Sequence, residues 1–204
     1  RSYVGAVEFI NNKKRWCLWL HDVDPSVYRN IPIVMQRIEA TKKFRLASTA
    51  ASTRKFAKIP SSFCQIAQPS TNYLIVPGVS SERRYYVPIG FMEPETIANN
   101  LVFVIPEATL YHFSVIQSSM HMSWMKYTCG RLKSDFRYSK DIVYNNFPWP
   151  ENPSEKQTQT IEAAAQAVLD ARAQFPESSL ADLYDPLTMP PVLLKAHQAL
   201  DKAV

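Results

Sequence analysis

Four histidines, three cysteines and two clusters of cations are the side chains in this 204-residue chain whose chemistry could act on another molecule. His21, His112, His121 and His197 show neither His-x-x-x-His nor His-Glu-x-x-His spacing, so no pair is set to bind zinc from one helical face. His112 and His121 are nine residues apart, about half a rotation on the helix expected there, and both read as packing residues. Cys17, Cys64 and Cys129 form no Cys-x-x-Cys pair and no even set, which argues against a disulfide framework or a thiolate metal site and favours a reducing compartment. No Gly-x-Ser-x-Gly frame activates a serine. Gly5, Gly78, Gly90 and Gly130 are too far apart to cradle a phosphate. The chain is therefore expected to hold no catalytic residue, no metal and no cofactor of its own.

What remains is cationic. One cluster runs from Ser80 through Ser81, Glu82, Arg83 and Arg84; the other sets Arg131, Lys133, Arg137 and Lys140 among Phe136 and Tyr138. Arginine forks fit phosphate oxygens and the guanine edge of the major groove, and Ser and Glu add further hydrogen bonds. The competing reading is internal: Glu82 can pair with Arg83, Arg84 or Arg131, and Asp135 with Arg137, leaving a solvated surface. Asn145-Asn146-Phe147-Pro148 stands near the Asn-Pro-Pro-aromatic pattern of amino-methyltransferases, but both central prolines are absent. It reads as a strand exit closed by a Pro-aromatic lock.

The elements that must carry these residues are mixed. Residues 4–10 and 15–20 read as two strands around Asn11-Asn12, and Asp24-Pro25 opens an amphipathic helix with Ile31, Val34, Met35, Ile38 and Thr41 at helical spacing, ending near Arg45. Residues 46–62, rich in Ser, Thr and Ala, read as a loop or broken helix carrying Arg54, Lys55 and Lys58. Strands are expected over 73–76, 84–91 and 101–105, with a turn at a sheet edge over 78–84. Leu110, Phe113, Ile116, Met120 and Trp124 predict one long buried helix stopping at Gly130, followed by a strand over 142–144. Ser154 and Gln157 form a capping box ahead of an Ala-rich helix with Ile161, Ala164, Ala165, Val168 and Leu169. A last helix follows Pro190-Pro191.

The fold class is α+β, a mixed sheet with packed helices over residues 1–150 and a small helical C-terminal appendage over 151–204. Hydrophobic residues at 46% and charged residues at 20% exclude a disordered chain, and no apolar run is long enough for a membrane span. Residues 1–150 hold 19 Lys+Arg against 10 Asp+Glu, whereas the tail holds 4 against 8. A basic body favours an anionic partner, with nucleic acid first. A start at Arg1 without methionine is expected of a piece of a longer protein.

Two strings are distinctive. Residues 73–91, YLIVPGVSSERRYYVPIGF, and residues 118–150, including SSMHMSWM, CGRLKSDFRYS and YNNFPWP, resemble the target-recognition region of MmeI-like type II restriction-modification enzymes and their stand-alone DNA adenine methyltransferase relatives. The tail resembles their helical C-terminal domain. The resemblance implies a sequence-specific DNA recognition module of an S-adenosylmethionine-dependent adenine-N6 methyltransferase, with or without nuclease activity. The cofactor would be bound elsewhere in the parent, and the partners would be double-stranded DNA and the parent's own methyltransferase domain. A cytoplasmic location is expected. Arg83, Arg84, Arg131, Lys133 and Arg137 are expected to contact DNA, more by gripping phosphates than by choosing bases, with Tyr138 and Ser139 assisting. Base choice is placed at Arg54 and Lys55 and around Ser81 and Glu82. The alternative is a docking module that braces the catalytic domain and reads no base.

Overall fold

A computed structural model describes residues 1–204 and divides into two compact units, Arg1 with Cys17–Gln68, and Ser2–Trp16 with Pro69–Val204. Helices dominate, and the strands form three small sheets, an α+β arrangement with a helical C-terminal part.

The first unit is helical. Asp24 caps α2 (Pro25–Tyr28) by accepting from Ser26 N at 2.7 Å, whereas α1 (Ala6–Ile10) belongs to the other unit. The chain breaks and restarts at Pro32 as α3 (Pro32–Leu46), because proline has no N–H to continue the preceding turn. This corrects the single helix expected from Asp24. Its inward stripe is Val34, Ile38, Thr41 and Arg45, whereas Ile31 and Met35 are exposed. Arg45 is 8% exposed and donates to three carbonyls, Phe56 and Ile59 at 2.9 Å and Ser62 at 2.8 Å. One guanidinium thus closes the broken helix, which comprises α4 (Ala51–Lys55), a 3-10 turn (Phe56–Lys58) and the loop beyond.

In the second unit β1 (Tyr3–Val4) leads into α1 (Ala6–Ile10), not into the strand expected over residues 4–10. The Glu8 carboxylate accepts the Gly5 N–H at 3.0 Å, and Phe9 N bonds Gly5 O, so the local caps favour a helical turn. The chain still returns antiparallel after Asn12, whose φ is 50°, but contributes only an isolated Ser2–Trp16 bridge in place of the second strand.

The central sheet has the order β4 (Gly90–Met92), β2 (Tyr73–Pro77), β6 (Val102–Pro106), all antiparallel. A second sheet pairs β1 with β5 (Ile97–Ala98). Tyr73, Leu74, Ile75 and Val76 are fully buried because alternation serves two cores: Leu74 and Val76 face the main one, Tyr73 and Ile75 a smaller one with Val4 and Val102. Gly78 then crosses Leu101, where an added Cβ would lie 2.8 Å from the carbonyl oxygen.

Three further expectations are corrected. The strand over 84–91 contracts to β4, since Pro88 donates no hydrogen bond and the carbonyls of Val87 and Ile89 accept from the side chains of Gln117 and Arg172 at 2.9 and 2.7 Å. The long helix is two, α5 (Leu110–Ile116) and α6 (Ser119–Thr128), because Ser118 Oγ accepts from His121 N and starts a new helix. Residues 140–144 form a π-helical turn rather than a strand, with Val143 and Tyr144 N both bonded to Ser139 O.

The tail carries α7 (Glu155–Ala173), capped by Ser154 and Gln157 as expected, then α8 (Leu180–Leu183) and α9 (Pro191–Ala203). Ala165, Val168, Ala171, Leu183, Tyr184, Leu193 and Leu200 share the main core with Leu74, Val76 and Ile89. The C-terminal helices are built into the same interior as the central sheet. No helix is long and apolar enough to cross a membrane.

Candidate nucleic-acid interface

The second cationic string folds as a hairpin. β7 (Gly130–Leu132) pairs with β8 (Asp135–Arg137), and β8 also pairs with β3 (Val79–Ser80), giving the order β3-β8-β7. The expected edge turn over 78–84 therefore begins with a strand. Register decides where side chains go: Phe136 lies opposite both Ser80 and Arg131, whereas Arg137 lies opposite Val79 and Gly130. Alternation puts Ser80, Phe136 and Arg131 on one face and Arg137 on the other. Phe136 and Ser80 are buried, which orients the sheet. Lys133 and Ser134 make the two-residue turn, with Lys133 at φ 57° and exposed at the tip.

The predicted cations divide by what they do within the molecule. The Arg131 guanidinium sits 4.1 Å from the centre of the Phe136 ring, donates to Ser134 O at 2.8 Å and pairs with Glu82 at 3.6 Å. Arg84 is half-buried between the fields of Asp185 and Asp135, and burial lowers its pKa against their pull. These two arginines are engaged by the fold. Arg83, Lys133 and Arg137 are exposed and make no ion pair. Ser81 accepts from Arg83 N, and Glu82 N donates to Asp135 Oδ1 at 3.3 Å, so residues 81–84 lie against the hairpin. Glu82 spends its carboxylate on Arg131, in line with the internal alternative for that residue.

Tyr138 is buried, and its hydroxyl meets His121 Nε2 at 2.9 Å; burial pushes the His121 pKa down to about 4. Ser139 caps the π-helical turn. In the helical unit Arg54 donates to Ser48 and Thr49 carbonyls at 2.8 and 2.7 Å, closing its own loop, and Lys55 is exposed. No group of His, Cys, Asp or Glu is arranged to hold a metal ion.

Two participants escape the sequence. Asp135, considered only as a partner for Arg137, instead holds Glu82 N and faces Arg84. Arg172 ends the inward stripe Ile161, Ala165, Val168 of α7 and donates to Ile89 O, to Gln117 Oε1 at 3.2 Å and to the Tyr184 hydroxyl. Its signal was available: a cation standing in a buried helical register.

Comparison with known proteins places this geometry. The family model for the MmeI target recognition domain matches residues 1–151, and that for the MmeI C-terminal domain matches residues 153–204. A curated relative, DNA methyltransferase A of Bacillus subtilis (strain 168), is 41% identical over 205 residues, covering all of this chain and 23% of that protein. A solved structure of the type IIL restriction-modification enzyme MmeI in complex with DNA is 51% identical, with a TM-score of 0.98 over all of this chain and 27% of that one. The chain thus spans about a quarter of the length of the proteins it matches. On the strength of these two adjoining matches, the chain belongs to the MmeI family, of which it carries the target recognition domain and the C-terminal domain.

Proposed function

We propose that this chain reads duplex DNA for a larger enzyme that methylates the N6 of an adenine within a specific site, using S-adenosylmethionine bound by another part of that enzyme. The observation that carries the reading is the set of three exposed cations without an ion pair, Arg83, Lys133 and Arg137, around one hairpin whose remaining charges are internally satisfied. Unpaired cations on a rigid sheet cost little to pre-orient and gain by displacing counterions from phosphates. The related MmeI structure in complex with DNA supports the same assignment. A methyltransferase must lift its target base out of the stack, which leaves neighbouring base pairs to be read by a separate surface.

In this reading Arg83, Lys133 and Arg137 touch DNA directly. Arg84, Arg131, Glu82 and Ser81 hold the surface in shape. Within the helical unit, Lys55 and Arg54 are the residues that touch DNA. Residues 1–150 form the reading part and 151–204 the helical domain that follows it. Its partners are double-stranded DNA and the enzyme's own methyltransferase domain, in the cytoplasm.

The test uses the full-length protein. Modified-base sequencing of DNA from cells expressing it should show one short motif carrying N6-methyladenine. Binding to a duplex containing that motif should weaken steeply with salt, and Ala at Arg83, Lys133 and Arg137 together should flatten the slope by about 3. An unchanged slope, or methylation without any motif, refutes the proposal.

A further inference from the structure

Residues 84–89 connect the hairpin sheet to the central sheet without joining either one by a ladder, yet Tyr86, Val87 and Ile89 are buried. Their backbone and side chains are held from outside. Arg172 of α7 takes Ile89 O at 2.7 Å, and Gln117, itself bonded to Arg172, takes Val87 O at 2.9 Å. The Tyr86 hydroxyl donates to Asp201 Oδ2 of α9 at 2.6 Å, and its ring stacks on His197 of α9 with centroids 4.0 Å apart. Asp201 Oδ1 accepts Ser119 N at 2.7 Å, so a single carboxylate joins residue 86 to the start of α6. His197 Nε2 meets the Tyr184 hydroxyl at 2.8 Å, which returns the network to Arg172. At the other end of the segment, Asp185 beyond α8 acts on Arg84.

We infer that the C-terminal helices set the position of the recognition loop, with Asp201 and Tyr86 as positioning residues that fix residues 81–84 against the hairpin. The inference rests on the reading that this hairpin surface contacts DNA. The C-terminal domain thereby supplies, through side chains, the constraint that a strand ladder would otherwise provide. Three features single out Asp201. It makes two bonds to two different elements, its partner Tyr86 lies two residues beyond Arg84, and burial together with the Asp201 bond raises the Tyr86 pKa, keeping the phenol a donor. Loosening this tie leaves the exposed cations in place but lets them sample wrong geometries. Specific binding then falls while non-specific phosphate attraction persists.

The experiment uses the full-length protein, a duplex containing the motif mapped by modified-base sequencing, and a scrambled duplex of equal length. Asp201→Ala and Tyr86→Phe should each weaken binding to the motif duplex about tenfold, a loss of about 1.4 kcal/mol. They should raise KM for methylation accordingly, and leave kcat and the affinity for scrambled duplex within about twofold. Asp201→Asn should restore motif affinity, since its carbonyl still accepts Ser119 N and its amide can donate to the Tyr86 hydroxyl. Val168→Ala, in the core of α7, lowers stability without removing a hydrogen bond of this network and should leave the motif-to-scrambled ratio unchanged at an equal loss in Tm. A ratio unaltered by Asp201→Ala, or altered equally by Val168→Ala, overturns the inference. A wild-type protein with no preference for the motif duplex instead overturns the DNA-reading proposal beneath it.

Discussion

Replacing Lys133 by glycine should move stability and DNA binding in opposite directions. Lys133 occupies the first turn position of the β7–β8 hairpin at φ 57°, where an L side chain with a Cβ is strained by about 1–2 kcal/mol. Glycine relieves this strain but adds unfolded-state freedom worth about 0.5–1 kcal/mol, leaving a net gain of roughly 0.5–1 kcal/mol. At about 2–4 °C per kcal/mol for a protein of this size, Tm should rise by about 1–4 °C. The same change deletes one exposed cation, so the slope of log K against log salt should shrink by about 0.9. Scanning fluorimetry and binding titrations between about 50 and 200 mM salt read the two quantities on one preparation. A fall in both Tm and affinity would assign Lys133 to the fold. A rise in Tm with an unchanged salt slope would show that the hairpin tip never meets phosphate, and the proposed interface would be refuted.

Other expectations follow from groups bonded inside the fold. Arg172→Ala leaves Ile89 O, Gln117 Oε1 and the Tyr184 hydroxyl without their donor and should cost about 3–5 kcal/mol, read as a fall in denaturant midpoint; Arg172→Lys, with one compact ammonium, should recover less than half. Arg45→Met should free residues 56–62 to exchange amide hydrogens orders of magnitude faster while residues 73–77 remain protected, because three carbonyls lose one shared donor. Burial holds the His121 pKa near 4, and burial with the Arg172 charge holds His197 near 3, both below the 6.5 of an unfolded histidine. The unfolded chain therefore takes up protons first. Stability from these two groups is complete above pH 6.5 and is lost on acidification, through about pH 4 for one and pH 3 for the other, by about 1.4 kcal/mol per unit per histidine. Between about pH 6.5 and 5, before most carboxylates titrate, His121→Gln should reduce the measured dependence by somewhat less than half, because burial lowers the His112 pKa as well and that group contributes in the same window.

How far the sequence could be read depended on whether the bonds deciding each segment were local. The Ser154–Gln157 capping box and the Ile161–Ala165–Val168 stripe carry their own instructions, and the helix they announce is present. The apolar run at Tyr73 identifies a strand buried on both faces. Residues 84–91 misled because Tyr-Tyr-Val-Pro-Ile has strand composition, while its carbonyls are claimed by Gln117 and Arg172, far along the chain. The break between α5 and α6 was equally hidden: the apolar period continues through it, and the helix stops where Ser118 Oγ donates to Val115 O and accepts from His121 N and where Ser119 N turns to the distant Asp201. The cationic strings were visible as a set, but their division into engaged and free members required the register that puts Arg131 beside Phe136 and Arg137 on the opposite face.

Arg45 and Arg172 follow one physical scheme in separate units. Each completes an inward helical stripe, Val34–Ile38–Thr41–Arg45 in one and Ile161–Ala165–Val168–Arg172 in the other, at offsets of four, seven and eleven residues. Arg45 then donates to three backbone carbonyls and Arg172 to one, in each case on a segment that belongs to no ladder. A recognition surface needs backbone that departs from regular structure, and irregular backbone leaves carbonyls that must be satisfied away from water. Placing the donor on a helix rather than on the loop separates the two requirements. Outward side chains beside these segments, such as Arg83 and Lys55, can then change with little effect on what holds the backbone, whereas Arg45 and Arg172 cannot change without releasing it. Around the hairpin this separation leaves the free cations Arg83, Lys133 and Arg137 on turns and an exposed strand position, while the charges that shape the surface are paired within the hairpin or supplied from a helix.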